Sequence, residues 1–312
     1  MKNKEYLNKN ILGDSSKILS KLEDNSIDLV LTDPPYFLDK LDNNWDKDEV
    51  HSKDNQQTVT SLPAGMKFSR EQGERFYEWY KKISKDLFRV LKPGGFFFSF
   101  SSPRLYHRLA SAMDDAGFEI RECFIWLYTR NQPKAMGFDH LIDRMDIEED
   151  TKKKLKNKFE GWKTPKVKSC FEPIAMGQKP TDSPYYKNMI NREVGGINTK
   201  VKVGQNMFPA NILTVEEMSE AIDKYFLISK PTKEEKGEFN NHMTVKPLSL
   251  CEHIIKLATF SEDSIVLDPF VGSGTTTIAA KKLDRKYIGI DVNKEYIEIA
   301  RERVKSVQPN LL

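Results

Sequence analysis

The segment Asp33-Pro34-Pro35-Tyr36 contains the residue types that point most directly to chemistry. Proline fixes its own φ angle, so the backbone of this turn is stiff, and it leaves its carbonyl oxygen free to accept a hydrogen bond. The Asp33 carboxylate and the Pro34 carbonyl can together accept both hydrogens of an exocyclic amino group, while the Tyr36 ring offers a face for base stacking. A base bound in this way must leave its duplex, so the turn predicts chemistry on a flipped nucleobase.

A glycine-rich turn that runs from Asp268 to Thr275 is the second candidate site. Glycines at a strand-to-helix turn let a ligand approach the backbone closely. Asp291 follows about 20 residues later, at the end of the next predicted strand, where a carboxylate suits both hydroxyls of a ribose. Thr277 replaces the third glycine of a dinucleotide-binding turn, which weakens the case for a pyrophosphate. The spacing predicts an adenosine-type cofactor, and a tight turn without a ligand stays open.

Short apolar strands precede both candidate sites and alternate with amphipathic helices. Apolar spacing predicts strands at 26–32, 96–100, 119–128, 264–267 and 287–290, and helices at 74–91, 103–116, 247–259 and 294–307. Residues 272–283 are predicted to form a loop and a helix. Such alternation indicates a parallel sheet covered by helices on both faces, with the active site at the carboxyl ends of its strands. The pattern fades between residues 131 and 241.

Composition restricts the class of protein. The chain has 312 residues, of which 30% are charged and 38% hydrophobic, as in ordinary globular domains. It contains neither an apolar run of roughly 20 residues nor the apolar core of a signal peptide, so we expect a cytoplasmic location. Three scattered cysteines and the absence of a His-Glu-x-x-His segment predict no metal site. No cysteine follows a proline, which argues against a cytosine C5 mechanism.

The net charge of +3 is unevenly distributed. Residues 151–206 contain 13 lysines or arginines and 4 acidic residues, a net charge of +9, which leaves −6 for the remainder. Basic residues beside the aromatic residues Trp162, Tyr185 and Tyr186 suit contact with the phosphates and bases of nucleic acid. The alternative is a solvated lysine-rich surface. The predicted DNA-binding residues are Trp45, Lys152, Lys153, Lys154, Trp162, Lys163, Lys166 and Lys168.

Together, the two turns resemble the amino-DNA methyltransferases, which use S-adenosylmethionine. The order of the motifs, with the catalytic turn before the cofactor turn, resembles the permuted beta group of that family. Five further segments also match: Gly13-Asp14, Lys92-Pro-Gly-Gly95, Phe124-Ile-Trp126, Phe171-Glu-Pro and His242-Met-Thr244-Val-Lys246-Pro247.

The resemblance implies a fold and a division of the chain. The fold is α/β, a Rossmann-like seven-stranded, mostly parallel sheet with one antiparallel strand, helices on both faces and an inserted target recognition region. Residues 1–130 would form the catalytic part and residues 242–312 the cofactor-binding part of one domain. Residues 131–241 would form the insert, with a segment near 170–177 returning to the sheet as a strand.

The resemblance also implies roles for individual residues. The catalytic set is Asp33, Pro34, Pro35 and Tyr36. The residues expected around S-adenosylmethionine are Asp14, Asp33, His242, Thr244, Lys246, Asp268, Phe270, Gly272, Ser273, Gly274, Thr275 and Asp291. Thr275 and the helix start can also hold a carboxylate, with which Lys246 could pair.

The predicted activity is site-specific methylation of double-stranded DNA at adenine N6. An aspartate at the first catalytic position favours adenine in this family, with cytosine N4 as the alternative. A nicotinamide-dependent oxidoreductase would explain the glycine turn but not Asp33–Tyr36, and a catalytically inactive DNA-binding module would not need an intact turn. A cognate restriction endonuclease and a homodimer are further partners that the resemblance suggests.

Overall fold

The computed structural model describes residues 2–36, 70–127, 135–164, 169–201, 208–214, 226–227 and 245–307. Five residues with a predicted role lie outside these ranges: Trp45, Lys166, Lys168, His242 and Thr244. Their roles therefore stay predictions.

The described residues form one sheet of nine strands in the order β1-β9-β8-β2-β3-β5-β4-β6-β7. β5 runs antiparallel to both of its neighbours and all other pairs are parallel, which confirms the predicted mixed α/β sheet. The strands are β1 (Lys9–Leu12), β2 (Ile27–Thr32), β3 (Leu91–Phe100), β4 (Glu119–Leu127), β5 (Phe171–Gln178), β6 (Ile212–Thr214), β7 (Phe226–Leu227), β8 (Ile265–Asp268) and β9 (Lys286–Asp291).

The first seven strands in this spatial order, β1-β9-β8-β2-β3-β5-β4, agree with the predicted count of seven. β6 and β7 extend the sheet beyond β4. With three and two residues, these two strands are too short to produce a detectable alternation in the sequence. β3 also differs from the prediction, because it begins at Leu91 instead of Phe96. Ile27 pairs with Leu91 and Leu29 with Phe96, so the intervening residues 92–95 form an irregularity in the strand.

Nine α-helices and a 3-10 helix at Lys2–Glu5 accompany the sheet in the described ranges. The α-helices are α1 (Ser15–Leu19), α2 (Arg70–Val90), α3 (Tyr106–Asp114), α4 (Phe138–Asp143), α5 (Glu149–Lys158), α6 (Tyr185–Arg192), α7 (Leu248–Ala258), α8 (Thr275–Lys282) and α9 (Lys294–Lys305). α7 begins one residue later than predicted, because the ψ angle of 134° at Pro247 is extended and makes this residue the N-cap. None of these helices has the length and apolar character that a membrane span requires.

The core lies on both faces of the sheet, since successive strand residues point to opposite sides. Val30 and Phe97 belong to a buried cluster that includes Phe76 of α2. Leu31 and Phe98 belong to a second cluster, which includes residues of α7 and α8. Apolar side chains on both faces explain why Leu29, Val30 and Leu31 are consecutive apolar residues within β2, which is buried along its whole length.

The chain divides into two compact units. The first comprises residues 1–43, 67–128 and 171–312, and its described part contains the whole sheet. The second comprises residues 44–66 and 129–170. In its described part, the backbone of Gly137 pairs with that of Lys163, and the rings of Phe138 and Phe159 lie 5.8 Å apart.

Candidate active site

Four aspartates lie along one edge of the sheet. β1, β9, β8 and β2 are neighbouring parallel strands, so their carboxyl ends meet at the same edge. Asp268 and Asp291 end β8 and β9, Asp33 directly follows β2, and Asp14 follows β1 by two residues. The fold thus places both predicted turns, which are far apart in the sequence, at one edge where α/β sheets bind ligands.

The Asp33 carboxylate accepts hydrogen bonds from two side chains. The Tyr36 hydroxyl donates to Oδ1 at 2.6 Å, and the Lys246 ammonium donates to Oδ2. Lys246 is buried, and its Nζ also lies 3.5 Å from Oε2 of Glu172 and 5.1 Å from the ring centroid of Phe100. In this structure Lys246 therefore has two carboxylate partners within the protein.

Both donors keep their protons in this environment. Burial raises the pKa of Tyr36 well above its ordinary value, and the negative charges of Asp33 and Glu172 raise it further. Burial lowers the pKa of Lys246, but the carboxylates of Asp33 and Glu172 more than offset this effect, so its pKa is raised overall. Tyr36 is a neutral phenol and Lys246 a charged ammonium, and each can donate to Asp33.

Glu172 lies in β5, opposite Trp126 of β4. The sequence indicated this position only as part of the matching segment Phe171-Glu-Pro, without a chemical role. Its proximity to Lys246 depends on β5 returning to the sheet beside β3. No local signal in the sequence could have predicted this contact.

Asp268 is a buried carboxyl group with local hydrogen-bond donors. The Thr32 hydroxyl donates to Oδ1 at 2.6 Å and the backbone N–H of Phe270 donates to the same atom at 3.0 Å. Burial raises the pKa of Asp268 to about 7, although these donors act in the opposite direction. This carboxyl therefore links the end of β2 to the glycine turn.

The glycine turn has a backbone that only glycine adopts easily. Gly272 and Gly274 have φ angles of +49° and +90°, and a Cβ on Gly274 would lie 2.9 Å from the Cβ of Ala300. Asp291 holds the turn, because its Oδ2 accepts from the N–H of Gly272 at 3.0 Å and its Oδ1 from the N–H of Asn293 at 2.8 Å. A carboxylate has about four lone-pair sites, so Asp291 can also accept from a ligand hydroxyl.

Phe270, Ser273 and Thr275 belong to this turn, and Asp14 lies two residues after the end of β1. α8 begins at Thr275, directly after Gly274, so its N-terminal N–H groups lie at the turn. The backbone carbonyl of Ser273 accepts from Arg303 at 2.7 Å, and the Phe270 ring lies 5.3 Å from Trp79. Asp14 is exposed and caps α1, accepting from the N–H of Lys17 at 3.0 Å.

The predicted DNA-binding residues that the structure describes belong to the second compact unit. α5 has no buried residue, and its Lys153 and Lys154 are exposed, as are Lys163 and Trp162, of which 65% is accessible. Lys152 differs, since its ammonium pairs with Glu149 at 2.8 Å and only 16% of its side chain is accessible. Four of the five described residues are thus available at the surface.

A mixed sheet with a glycine turn and an acidic Asp-Pro-Pro-Tyr turn at one edge defines the class of Rossmann-like methyltransferases. The chain belongs to the N6/N4 DNA methylase family, whose model, described as DNA methylase, matches residues 27–302. This match includes both turns and the strands that carry them.

Named relatives and a solved structure are similar over almost the whole chain. The type II methyltransferase M.HindIII of Haemophilus influenzae is 32% identical, over 93% of both chains. The type II methyltransferase M.HpaI of Haemophilus parainfluenzae is 33% identical, over 95% of this chain and 74% of its own. The structure of an M1.HpyAVI–SAM complex has the same fold, with a TM-score of 0.54 at 20% identity over 95% of this chain and 98% of that one.

Proposed function

We propose that this DNA methyltransferase acts at a specific site and transfers the methyl group of S-adenosylmethionine to the N6 amino group of a flipped-out adenine. The observation that carries the proposal is the hydrogen bond from the Lys246 ammonium to Asp33. This contact places an N–H donor on the carboxylate that would receive the amino group of a base. Asp33 thus accepts from an N–H donor in this structure, and 20% of its side chain is accessible to solvent.

The residues at the glycine turn fit S-adenosylmethionine. Gly272 and Gly274 give the turn its left-handed backbone without a side chain, and the oxygens of Asp291 suit ribose hydroxyls. The N-terminus of α8 can hold the carboxylate of the amino acid part. When bound there, S-adenosylmethionine supplies an activated methyl group.

The protein contributes positioning and charge at the target amine. The lone pair of an exocyclic amino group is delocalised into the ring, which makes the amine a poor nucleophile. Hydrogen bonds from its two N–H groups to Asp33 and to the Pro34 carbonyl would localise the lone pair and aim it at the methyl carbon. Tyr36 would stack on the base, and its hydroxyl holds Asp33 in place.

Asp33 at the first position of the turn favours adenine, and cytosine N4 is the alternative within the same chemistry. A nicotinamide oxidoreductase would not need Asp33–Tyr36, and the intact turn argues against an inactive binding module. The type II relatives support a further proposal, that a restriction endonuclease recognises the same DNA site. A homodimer and a cytoplasmic location stay predictions.

The decisive experiment is methylation of duplex DNA with methyl-labelled S-adenosylmethionine, followed by digestion and identification of the labelled nucleoside. We expect N6-methyladenine, and Asp33→Ala should abolish the transfer. Asp263→Ala is the control, because this exposed aspartate pairs only with Lys286 among the contacts of the described residues. Labelled N4-methylcytosine would refute the adenine assignment, and full transfer by Asp33→Ala would refute the role of Asp33.

A further inference from the structure

The Lys246 ammonium lies between two carboxylates. It donates a hydrogen bond to Asp33 Oδ2 and approaches Glu172 Oε2 to 3.5 Å, which is beyond an ordinary hydrogen-bond length. Oε2 of Glu172 is shielded from solvent and has no hydrogen-bond donor among the described residues. A buried carboxylate oxygen without a donor is costly, so Glu172 has an unused capacity to accept.

Both oxygens of Asp33 are already engaged, Oδ1 by Tyr36 and Oδ2 by Lys246. Each oxygen keeps a second lone pair, but an amino group that takes the position now held by the Lys246 ammonium on Oδ2 must displace this ammonium. Lys246 can leave only if its buried charge finds another anionic partner, because an unpaired ammonium is unfavourable in this environment. A movement of about 0.6 Å would bring its Nζ within hydrogen-bond distance of Glu172.

We infer that Glu172 is a positioning residue of the methyl-transfer site, which receives the Lys246 ammonium when the amino group of the target base replaces it on Asp33. The inference rests on the proposed function, since it needs an amino group that binds Asp33. With Lys246 on Glu172, these two charges compensate each other and the Asp33 carboxylate is free to accept from the amino group. Lys246 thus occupies the amine position until the substrate arrives.

The first test replaces the charge of Glu172 and keeps its shape. In Glu172→Gln, Lys246 has Asp33 as its remaining anionic partner in the cluster, so the single-turnover rate of methyl transfer should fall about 10- to 100-fold. The dissociation constant for S-adenosylmethionine and the melting temperature should not change. Glu172→Asp keeps the charge and should retain more of the rate than Glu172→Gln.

Glu119→Gln is the matched control, since it makes the same chemical change at a distant position. β4 and β5 pair along their lengths, and Glu119 lies at one end of this pairing while Glu172 lies near the other. Glu119 pairs with Gln178, whereas Glu172 pairs with Trp126, and the carboxylate of Glu119 is half exposed beside Arg121. We expect an unchanged rate in this variant. An unchanged rate in Glu172→Gln, or a rate in Glu172→Asp as low as in Glu172→Gln, would overturn the inference.

A second test asks whether Glu172 acts through Lys246. The effect of Glu172→Gln is measured in the original background and again with Lys246→Met, and the two effects are compared as a double-mutant cycle. If the ammonium mediates the effect, Glu172→Gln should change the rate little once Lys246 is replaced. An equal loss in both backgrounds would overturn the inference, while the proposed function would stand. Absence of methyl transfer by the unsubstituted protein would instead refute the proposed function, and the inference with it.

Discussion

Asp268 shows how burial changes the chemistry of a single residue. This residue is 3% exposed, and burial raises the pKa of its carboxyl group from the ordinary 3.8 to about 7. The sequence identified this aspartate as the start of the glycine turn and as one of the residues expected around S-adenosylmethionine. Its raised pKa depends on the strands that enclose it, and it makes the stability of the ligand-free protein depend on pH.

The sign of this dependence follows from proton linkage. Below about pH 4 the Asp268 carboxyl is protonated in the folded and the unfolded chain. Between about pH 4 and pH 7 the unfolded chain has lost the proton and the folded chain still binds it, so this group lowers the free energy of unfolding as the pH rises. Above that range the contribution is constant. We expect urea unfolding at a series of pH values to show this decrease.

Asp268→Asn is the comparison that isolates the effect, because the amide can still accept from Thr32 and cannot titrate. The difference in the free energy of unfolding between the two proteins should change between about pH 4 and pH 7, and stay constant above this range. A difference that does not vary with pH would contradict the assignment.

At the scale of elements, the glycine turn depends on the close packing of α8 against α9. Gly274 has a φ angle of +90° and lies where a Cβ would meet Ala300 of α9 at 2.9 Å. Two physical requirements, a left-handed backbone and close approach, therefore act on one residue. They can be separated, because Gly161 shares only the first of them.

Gly274→Ala should destabilise the protein by more than the roughly 1–2 kcal/mol of a left-handed backbone, because Ala300 and α9 must also shift. It should also weaken binding of S-adenosylmethionine, since the turn that we propose to hold it is displaced. Melting temperature and calorimetric titration measure the two effects.

Gly161→Ala is the control. Gly161 has a φ angle of +79°, and a Cβ there would meet nothing within 4 Å. This variant should show only the backbone cost and bind S-adenosylmethionine normally. Equal losses of stability in the two variants would show that the contact with Ala300 is unimportant.

At the scale of the whole molecule, the distribution of charge is more informative than its total. The net charge of +3 combines a segment of +9 with a remainder of −6. Within that segment, Lys153 and Lys154 are exposed on a helix without buried residues. Substitutions there should therefore change electrostatics and leave the fold intact.

We expect Lys153→Ala and Lys154→Ala each to weaken DNA binding similarly for all sequences. Each should reduce the slope of log K against log salt concentration by about one, because one phosphate contact is lost. The affinity for S-adenosylmethionine should stay the same. Fluorescence anisotropy with labelled duplexes over a range of salt concentrations measures the slope.

Lys305→Ala is the control for charge alone, since Lys305 is exposed at the end of α9 and pairs with Glu302. Its salt slope should equal that of the unsubstituted protein. If all three variants behave alike, the two lysines of α5 contribute only net charge, and their proposed DNA contact is wrong.

Features that depend on neighbouring residues could be predicted from the sequence. Asp33–Tyr36 and Gly272–Gly274 are contiguous segments, and their chemistry follows from residue types and backbone restrictions. The alternating strands and helices around them repeat often enough to predict the α/β fold, its parallel sheet and the edge that carries the site. The short strands β6 and β7 have too few residues for such a pattern.

Contacts between distant segments were decided by the tertiary structure. Asp33 and Lys246 are 213 residues apart, and they meet Glu172 because β5 joins the sheet in the antiparallel direction beside β3. The pKa of Asp268 likewise depends on burial, which a linear sequence does not contain. The sequence by itself determined which groups could perform the chemistry, since this depends on residue type. Only the fold determined which of them share a desolvated space, where their charges must compensate one another.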